Sequence, residues 1–268
     1  MEAASLSVPV QDHVLGLRVD PVSQRMAVDL VLQRAFLDGG GSYVCLANAH
    51  TTVESQGDAE LRAAYGSAFL SVPDGMPLVW ILRSRGARHV QKVTGIEYIP
   101  EVAAAGLDLG VRHFFFGGAP GVADTAGREL QARVPGTQVV GAYSPPFGAP
   151  EAWDLDELRT LLRAGRPHIV WVGLGAPKQE LWMARVAGTL EAPVMIGVGA
   201  AFDFLAGTKP AAPRVMSRLG LEWLFRLVSE PRRLWRRYLV GNSTFLWLLA
   251  RERVAGASSR GTIGKGGP

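Results

Sequence analysis

The sequence predicts an α/β fold in which a largely parallel sheet is flanked by helices and followed by a basic, helical C-terminal appendage. Three observations predict it. Short β-rich runs alternate with stretches of helical period through most of the chain, as in a parallel sheet with crossover helices. Glycine and proline collect just after the strand-like runs, where open parallel sheets bind ligands. After Gly207 the strand pattern stops and arginine-rich amphipathic segments take over.

Taken in order, HVLGLRV (13–19) reads as a strand, and VSQRMAVDLVLQRAFL (22–37) as a helix stopped by the glycines at 39–41. SYVCLA, AFLSV, RHFFFGG, TQVVGAY, PHIVWVGLG and APVMIGVGA read as mostly buried strands. ELRAAYG, GVADTAGRELQARV, DELRTLLRAG and KQELWMARVAG supply the helices between them. Residues 213–253 read as two or three amphipathic helices broken near Pro231 and Gly241, and 254–268 as a flexible tail. The division is therefore 1–212, 213–253 and 254–268.

Composition bounds the function. At 48% hydrophobic and 19% charged residues, the 268-residue chain is of globular type. One cysteine, Cys45, excludes a disulfide framework or a CxxC metal site and reads as a small core residue. The first residues carry neither the basic nor the apolar region of a signal peptide. Nowhere do about 18 apolar residues run together, so a soluble or peripheral protein is expected. Residues 1–212 hold 17 Lys/Arg against 21 Asp/Glu, whereas 213–253 hold 9 Arg against 3 Glu. An acidic body with a basic arm fits either an anionic partner or a solvated helical face. Trp223, Trp235 and Trp247 among the arginines suit an interfacial helix, or a helical cap packed on the body.

Three places can carry chemistry. Pro73-Asp74-Gly75 ends a strand and opens an apolar helix, so Asp74 either caps that helix or faces a cleft as a general base. In GLGAPKQE the glycines allow a tight turn, and the free N–H groups of the following helix form an anion site near Lys178 and Gln179. Lysine stands where a dinucleotide fingerprint needs its third glycine, which disfavours an oxidoreductase. Asp203, between Phe202 and Phe204, needs a partner: buried backbone N–H groups or a nucleoside. The five histidines show no metal-ligand spacing, and Asp154-Leu155-Asp156 precedes a helical run, where capping is the favoured reading. Neither G-x-S-x-G nor a P-loop occurs.

At these motifs the sequence resembles the WecG/TagA/CpsF glycosyltransferases. The likeness runs from about residue 13 to 250 and includes Asn48-Ala49, PDG, Val93-Thr94-Gly95, FFFGGAPGVAD, GAYSPPF, GLGAPKQE, GVGAAFDFLAG and GLEWLFRLVSEPRRLWRRYLVGN. It implies a Rossmann-like domain whose C-terminal appendage closes the site at a membrane. It also implies an inverting, metal-independent transfer from a UDP-sugar to a sugar on undecaprenyl diphosphate, in bacterial surface-polysaccharide synthesis. The place implied is the inner face of the plasma membrane. No cofactor and no nucleic acid are called for.

By matched position, Asp74 is the general base. Asn48 lines the donor pocket, Gln179 contacts the donor, and Asp203 holds the nucleoside with Tyr143 beside it. Lys92, just before V-T-G, and Thr94 within it bind substrate. Arg226, Arg233 and Arg236 neutralise the diphosphates. Departures are Leu46 where many members have threonine, Lys92 for arginine, Glu97 for aspartate and Ala211 for arginine. They bear on which sugar is used more than on the reaction. An aspartate near its ordinary pKa of about 3.9 would be ionised at pH 7. The arm would then do two things, docking at the lipid and completing the site. The rival reading is a non-catalytic nucleotide-sugar-binding protein that docks on membranes.

Overall fold

The computed structural model describes residues 11–37, 41–150, 153–190 and 192–261. The first ten residues, the glycines at 39 and 40 and the end of the expected tail (262–268) lie outside the described residues.

HVLGLRV is a hairpin rather than one strand. β1 (Asp12–Val14) and β2 (Leu17–Val19) pair antiparallel. Leu15 and Gly16 turn the chain with φ of 52° and 79°, the left-handed pair of a two-residue turn. Leucine is rare at such a position, which is why the turn does not show in the sequence. Arg18 and Asp20, both buried and 2.9 Å apart, tie this hairpin to the sheet through the Ala68 carbonyl and the Ser71 N–H.

The expected sheet is present. α1 (Gln24–Ala35) is capped by Ser23 and leads to β3 (Ser42–Ala47). After α2 (Ala49–Glu54) and α3 (Ala59–Ser67) comes β4 (Leu70–Pro73), then α4 (Met76–Ser84) and α5 (Gly95–Ala105). β5 (Arg112–Gly117), α6 (Val122–Arg133), β6 (Gln138–Tyr143), α7 (Asp156–Gly165), β7 (Ile169–Gly173), α8 (Lys178–Val186), β8 (Val194–Gly197) and α9 (Ala201–Leu205) follow. Among these, α2, α5 and α9 are additional to the helices that the sequence pattern predicts. The six strands β3 to β8 are all parallel, in the order β4-β3-β8-β7-β5-β6.

Alternation along each strand sorts the core into two layers. Val44, Leu46, Phe115, Trp171 and Ile196 face one way, onto α1, α5, α6 and α9. Tyr43, Cys45, Phe114, Phe116 and Val172 face the other, onto α3, α4, α7 and α8. Because α3 follows β3 on one face and α9 follows β8 on the other, the chain parts between these neighbouring strands. A crevice opens there at their carboxyl ends.

Three short helices and a long one form the appendage: α10 (Arg214–Arg218), α11 (Glu222–Ser229), α12 (Pro231–Trp235) and, after a π-helical turn at Arg236–Val240, the 21-residue α13 (Gly241–Gly261). The break expected at Pro231 is there. The one expected at Gly241 is not, since that residue is helical at φ −61° and ψ −46°. Helical backbone continues to Gly261, past residue 254. Leu234, Tyr238, Phe245 and Leu248 turn inward and are buried, and α13 packs along α2. No helix among the described residues is long and apolar enough to cross a membrane.

Candidate active site

Two hollows meet at Asp74. The inner one, about 420 Å³, lies over the carboxyl ends of β3, β7 and β8 and is walled by Asn48, Thr94, Leu174–Gln179, Gly197–Ala201 and Phe204. The outer one, about 250 Å³, is walled by His50, Met76, Trp80, Lys92, Trp223 and Tyr238 among others. Asn48, Asp74, Glu222, Arg226 and Arg237 line both.

Asp74 does not cap its helix. The N-cap of α4 is Gly75, without a side-chain cap bond, and its φ of 150° is one that a side chain would resist. The peptide N–H of Asp74 is instead fixed on the Ala47 carbonyl at 2.6 Å. Its carboxyl is thus left to the junction. Burial pushes its pKa up to about 7, and the Glu222 carboxylate adds to the rise against Lys92, Arg226 and Arg237. The expectation of a fully ionised, ordinary aspartate at pH 7 is corrected by this burial, which a sequence does not display.

The glycine loops hold the inner hollow's shape. A Cβ on Gly173 would stand 2.5 Å from the Phe202 ring, so only glycine lets the loop after β7 lie so close to α9. Gln179, almost wholly buried, spans two of these loops. Its Oε1 accepts from Gly175 N at 3.2 Å and Gly199 N at 2.9 Å, and its Nε2 donates to Glu180 at 2.9 Å. It lines the hollow, but its acceptor atom is already engaged, so the side chain first sets loop geometry. Glu180 beneath it is fully buried, and burial raises its pKa to about 7. Asn48 caps α2, accepting from His50 N and Thr51 N at 3.1 and 3.2 Å, which leaves its amide donors for a ligand. Thr94 donates to Glu97 at 3.1 Å.

The appendage supplies the cations. Arg226 and Arg237 line both hollows, and the Nε atoms of both are buried without a partner. Such atoms need an acceptor, and a phosphate oxygen would provide one. The Arg226 guanidinium also lies 5.4 Å from the Phe204 ring centre. Arg233 reaches the inner hollow while gripping Glu230 through two bonds of 2.6 and 2.8 Å. Lys92 fastens appendage to body, donating to Ser217 Oγ at 2.8 Å and pairing with Glu222 at 3.3 Å.

Three residues expected in the site stand elsewhere. Arg236 lies over the Trp235 ring at 5.3 Å and reaches neither hollow; Arg237 takes that place. On this helix Arg233 and Arg237, four residues apart, flank the buried Leu234 and Tyr238, whereas Arg236 is on the outer side. That spacing was the available signal. Tyr143 ends the edge strand β6, stacks on Phe116 and donates to Glu157 at 2.8 Å. It is not beside Asp203, because the two belong to opposite layers. Asp203 pairs with Lys209 at 3.0 Å and borders the inner hollow without lining it. His50 also lines the outer hollow, with no motif in the sequence to mark it; burial and the nearby Arg237 lower its pKa to about 4, so that hollow contains a neutral imidazole.

Asp154 and Asp156 sit at the start of α7, beside the edge strand β6, where Asp154 accepts from Asp156 N at 2.9 Å. No three His, Cys, Asp or Glu side chains gather at metal-binding distance among the described residues.

The family model described as Glycosyl transferase WecG/TagA/CpsF family matches residues 12–259. The chain belongs to this family of glycosyltransferases. One curated relative is the N-acetylglucosaminyldiphosphoundecaprenol N-acetyl-beta-D-mannosaminyltransferase of Bacillus spizizenii. It is 28% identical over 225 residues, covering 84% of this chain and 85% of the relative. The family match spans both the α/β body and the arginine-bearing appendage. Cell-surface polysaccharide synthesis is the setting to which such transferases belong.

Proposed function

We propose that the chain is an inverting, metal-independent glycosyltransferase. It moves a hexose or N-acetylhexosamine from a UDP-sugar to a sugar on polyprenyl diphosphate. The observation that carries this reading is the position of Asp74, shared by two hollows of different chemistry. The donor diphosphate suits the inner hollow, where the N-terminus of α8 and the guanidinium groups of Arg226, Arg233 and Arg237 favour negative charge. The acceptor sugar suits the outer hollow, near Trp80, His50 and Trp223.

In the reaction the acceptor hydroxyl gives its proton to the Asp74 carboxylate while its oxygen attacks the anomeric carbon. The bond from that carbon to the donor phosphate breaks on the opposite side, and UDP leaves with the electron pair. A base whose pKa lies near working pH combines ionised fraction with proton affinity, so the value of about 7 at Asp74 suits the task. The arginines stabilise charge on the departing diphosphate, the part a divalent metal plays in other transferases.

Val215, Leu219, Val228, Leu239, Leu246 and Trp247 on the appendage are all more than half exposed, with Arg232, Arg236 and Arg251 nearby in sequence. Such a surface fits peripheral docking on an anionic leaflet, at about 1 kcal/mol per basic residue near the surface. It supports a place at the cytoplasmic face of the membrane.

The test is a screen of UDP-glucose, UDP-glucuronate, UDP-N-acetylglucosamine and UDP-N-acetylmannosamine against synthetic prenyl-diphosphate sugars, with product stereochemistry read by NMR. The relative's name supports N-acetylmannosamine transfer to N-acetylglucosaminyl diphospholipid as the first pair. One donor should give product of inverted anomeric configuration at a rate unchanged by EDTA. Tight UDP-sugar binding without transfer to any acceptor would leave the non-catalytic docking protein instead.

A further inference from the structure

The outer hollow does not end at its mouth. Ala49, Pro77, Trp80, Trp223, Tyr238 and Asn242 wall it and also wall a groove of about 640 Å³ running along α4, α11 and α13. Past this shared wall the lining turns aliphatic, with Ile81, Leu239, Leu246 and Leu249, and Arg253 is its one charged member among the described residues. Trp80, Leu239 and Leu246 remain 56, 53 and 65% exposed, an apolar surface that the chain itself leaves open.

The order of these surfaces narrows the occupant. From Asp74 outward come a carboxylate, then Arg226 and Arg237, which line both hollows and so face an acceptor diphosphate as well as the donor's, then two tryptophans and finally leucines. A molecule matching that order has a sugar, a diphosphate and a hydrocarbon chain in one covalent line. A second copy of this chain would cover the leucines but bring no anion to Arg226 and Arg237. An acyl chain of the bilayer would arrive without a sugar for Asp74.

We propose that this groove binds the first isoprene units of the acceptor lipid, which would then enter the protein with its diphosphate rather than remain wholly in the bilayer. The inference rests on the acceptor class proposed above. Isoprenoid chains lose fewer free rotors on binding than saturated ones, because every fourth bond is a rigid double bond.

The experiment is calorimetric titration of the full chain, free of vesicles, with ethyl, dodecyl and farnesyl diphosphate below their aggregation concentrations. Farnesyl diphosphate should bind at least tenfold more tightly than ethyl diphosphate and at least threefold more tightly than the dodecyl compound. The double variant Leu239→Ser, Leu246→Ser should bring the farnesyl-to-ethyl ratio to threefold or less; both side chains are mostly exposed, so folding should survive. Equal affinity for farnesyl and ethyl diphosphate overturns the proposal, as does a ratio untouched by the double variant. Dodecyl binding equal to farnesyl would assign the groove to bilayer acyl chains and overturn it too. Equal affinities together with a dimer that the double variant abolishes would assign it to a second copy. Loss of sugar transfer with the farnesyl preference intact counts against the transferase reading alone. Transfer without that preference counts against the groove alone.

Discussion

Replacing Asp74 with asparagine should cripple the enzyme and stabilise the protein. The side chain keeps its shape and loses only the ability to ionise. Burial and Glu222 raise the carboxyl pKa from an ordinary 3.8 to about 7 in the folded chain. At about 1.4 kcal/mol per pH unit, the charged form therefore costs the fold at most about 4 kcal/mol relative to the unfolded chain, and less because the carboxyl is only half-buried and solvent in the two hollows screens it. The sign follows from proton counting. Between pH 4 and 7 the folded state holds the proton that the unfolded state has lost, so stability falls as pH rises through that window and levels above it. The amide escapes this penalty, so the stability gain of Asp74→Asn should be near zero at pH 4, grow up to pH 7 and stay constant to pH 9. Each kcal/mol is worth about 2–4 °C in a chain of this size, so melting at pH 8 should shift upward by several degrees. Turnover should fall by about 10²–10⁴, the usual worth of a positioned base. Thermal melts across pH, paired with initial rates and donor affinity, check both halves. Near wild-type turnover with intact donor binding would refute the base assignment, and a lower melting temperature at pH 8 would refute the burial argument.

Other outcomes follow from the same geometry. Arg237→Ala should lower kcat/KM by about 30-fold or more, since truncating a buried charge partner costs about 2–5 kcal/mol, while Arg236→Ala should stay within about threefold. Glu222→Gln removes the carboxylate that raises the Asp74 pKa, so the rising limb of the pH–rate profile should move to lower pH; an upward move would contradict the assigned coupling. Lys92→Ala breaks the link between body and appendage and should increase proteolysis of residues 213–253 without altering the melting of the sheet. Truncation after Gly207 should reduce liposome binding and turnover together, and survival of both would end the dual role of the arm.

Much of the fold was legible because its signals are local. Strands buried on both faces need unbroken apolar runs, and the runs SYVCLA and RHFFFG stand within β3 and β5 as read. The helices beside them follow the same periodic logic. The remaining elements lack such a signal. The Leu15-Gly16 turn uses a leucine where asparagine is usual, and α2 and α9 are too short for a period to show. Gly241 reads as a breaker, yet packing of Phe245 and Leu248 carries the helix through it.

By itself the sequence determined the parallel α/β plan, the glycine loops at the strand ends, the acidic residue at the PDG turn and the basic character of the appendage. Only the tertiary structure decided that Asp74 stands between two hollows, that Arg237 rather than Arg236 faces it, and that Gln179 spends its acceptor on two glycine loops. The physical reason is range. Hydrophobic period and turn chemistry act over a few neighbouring residues. Desolvation, charge coupling and the side of a helix turned to a cavity depend instead on elements as far apart in the chain as β4 and α11.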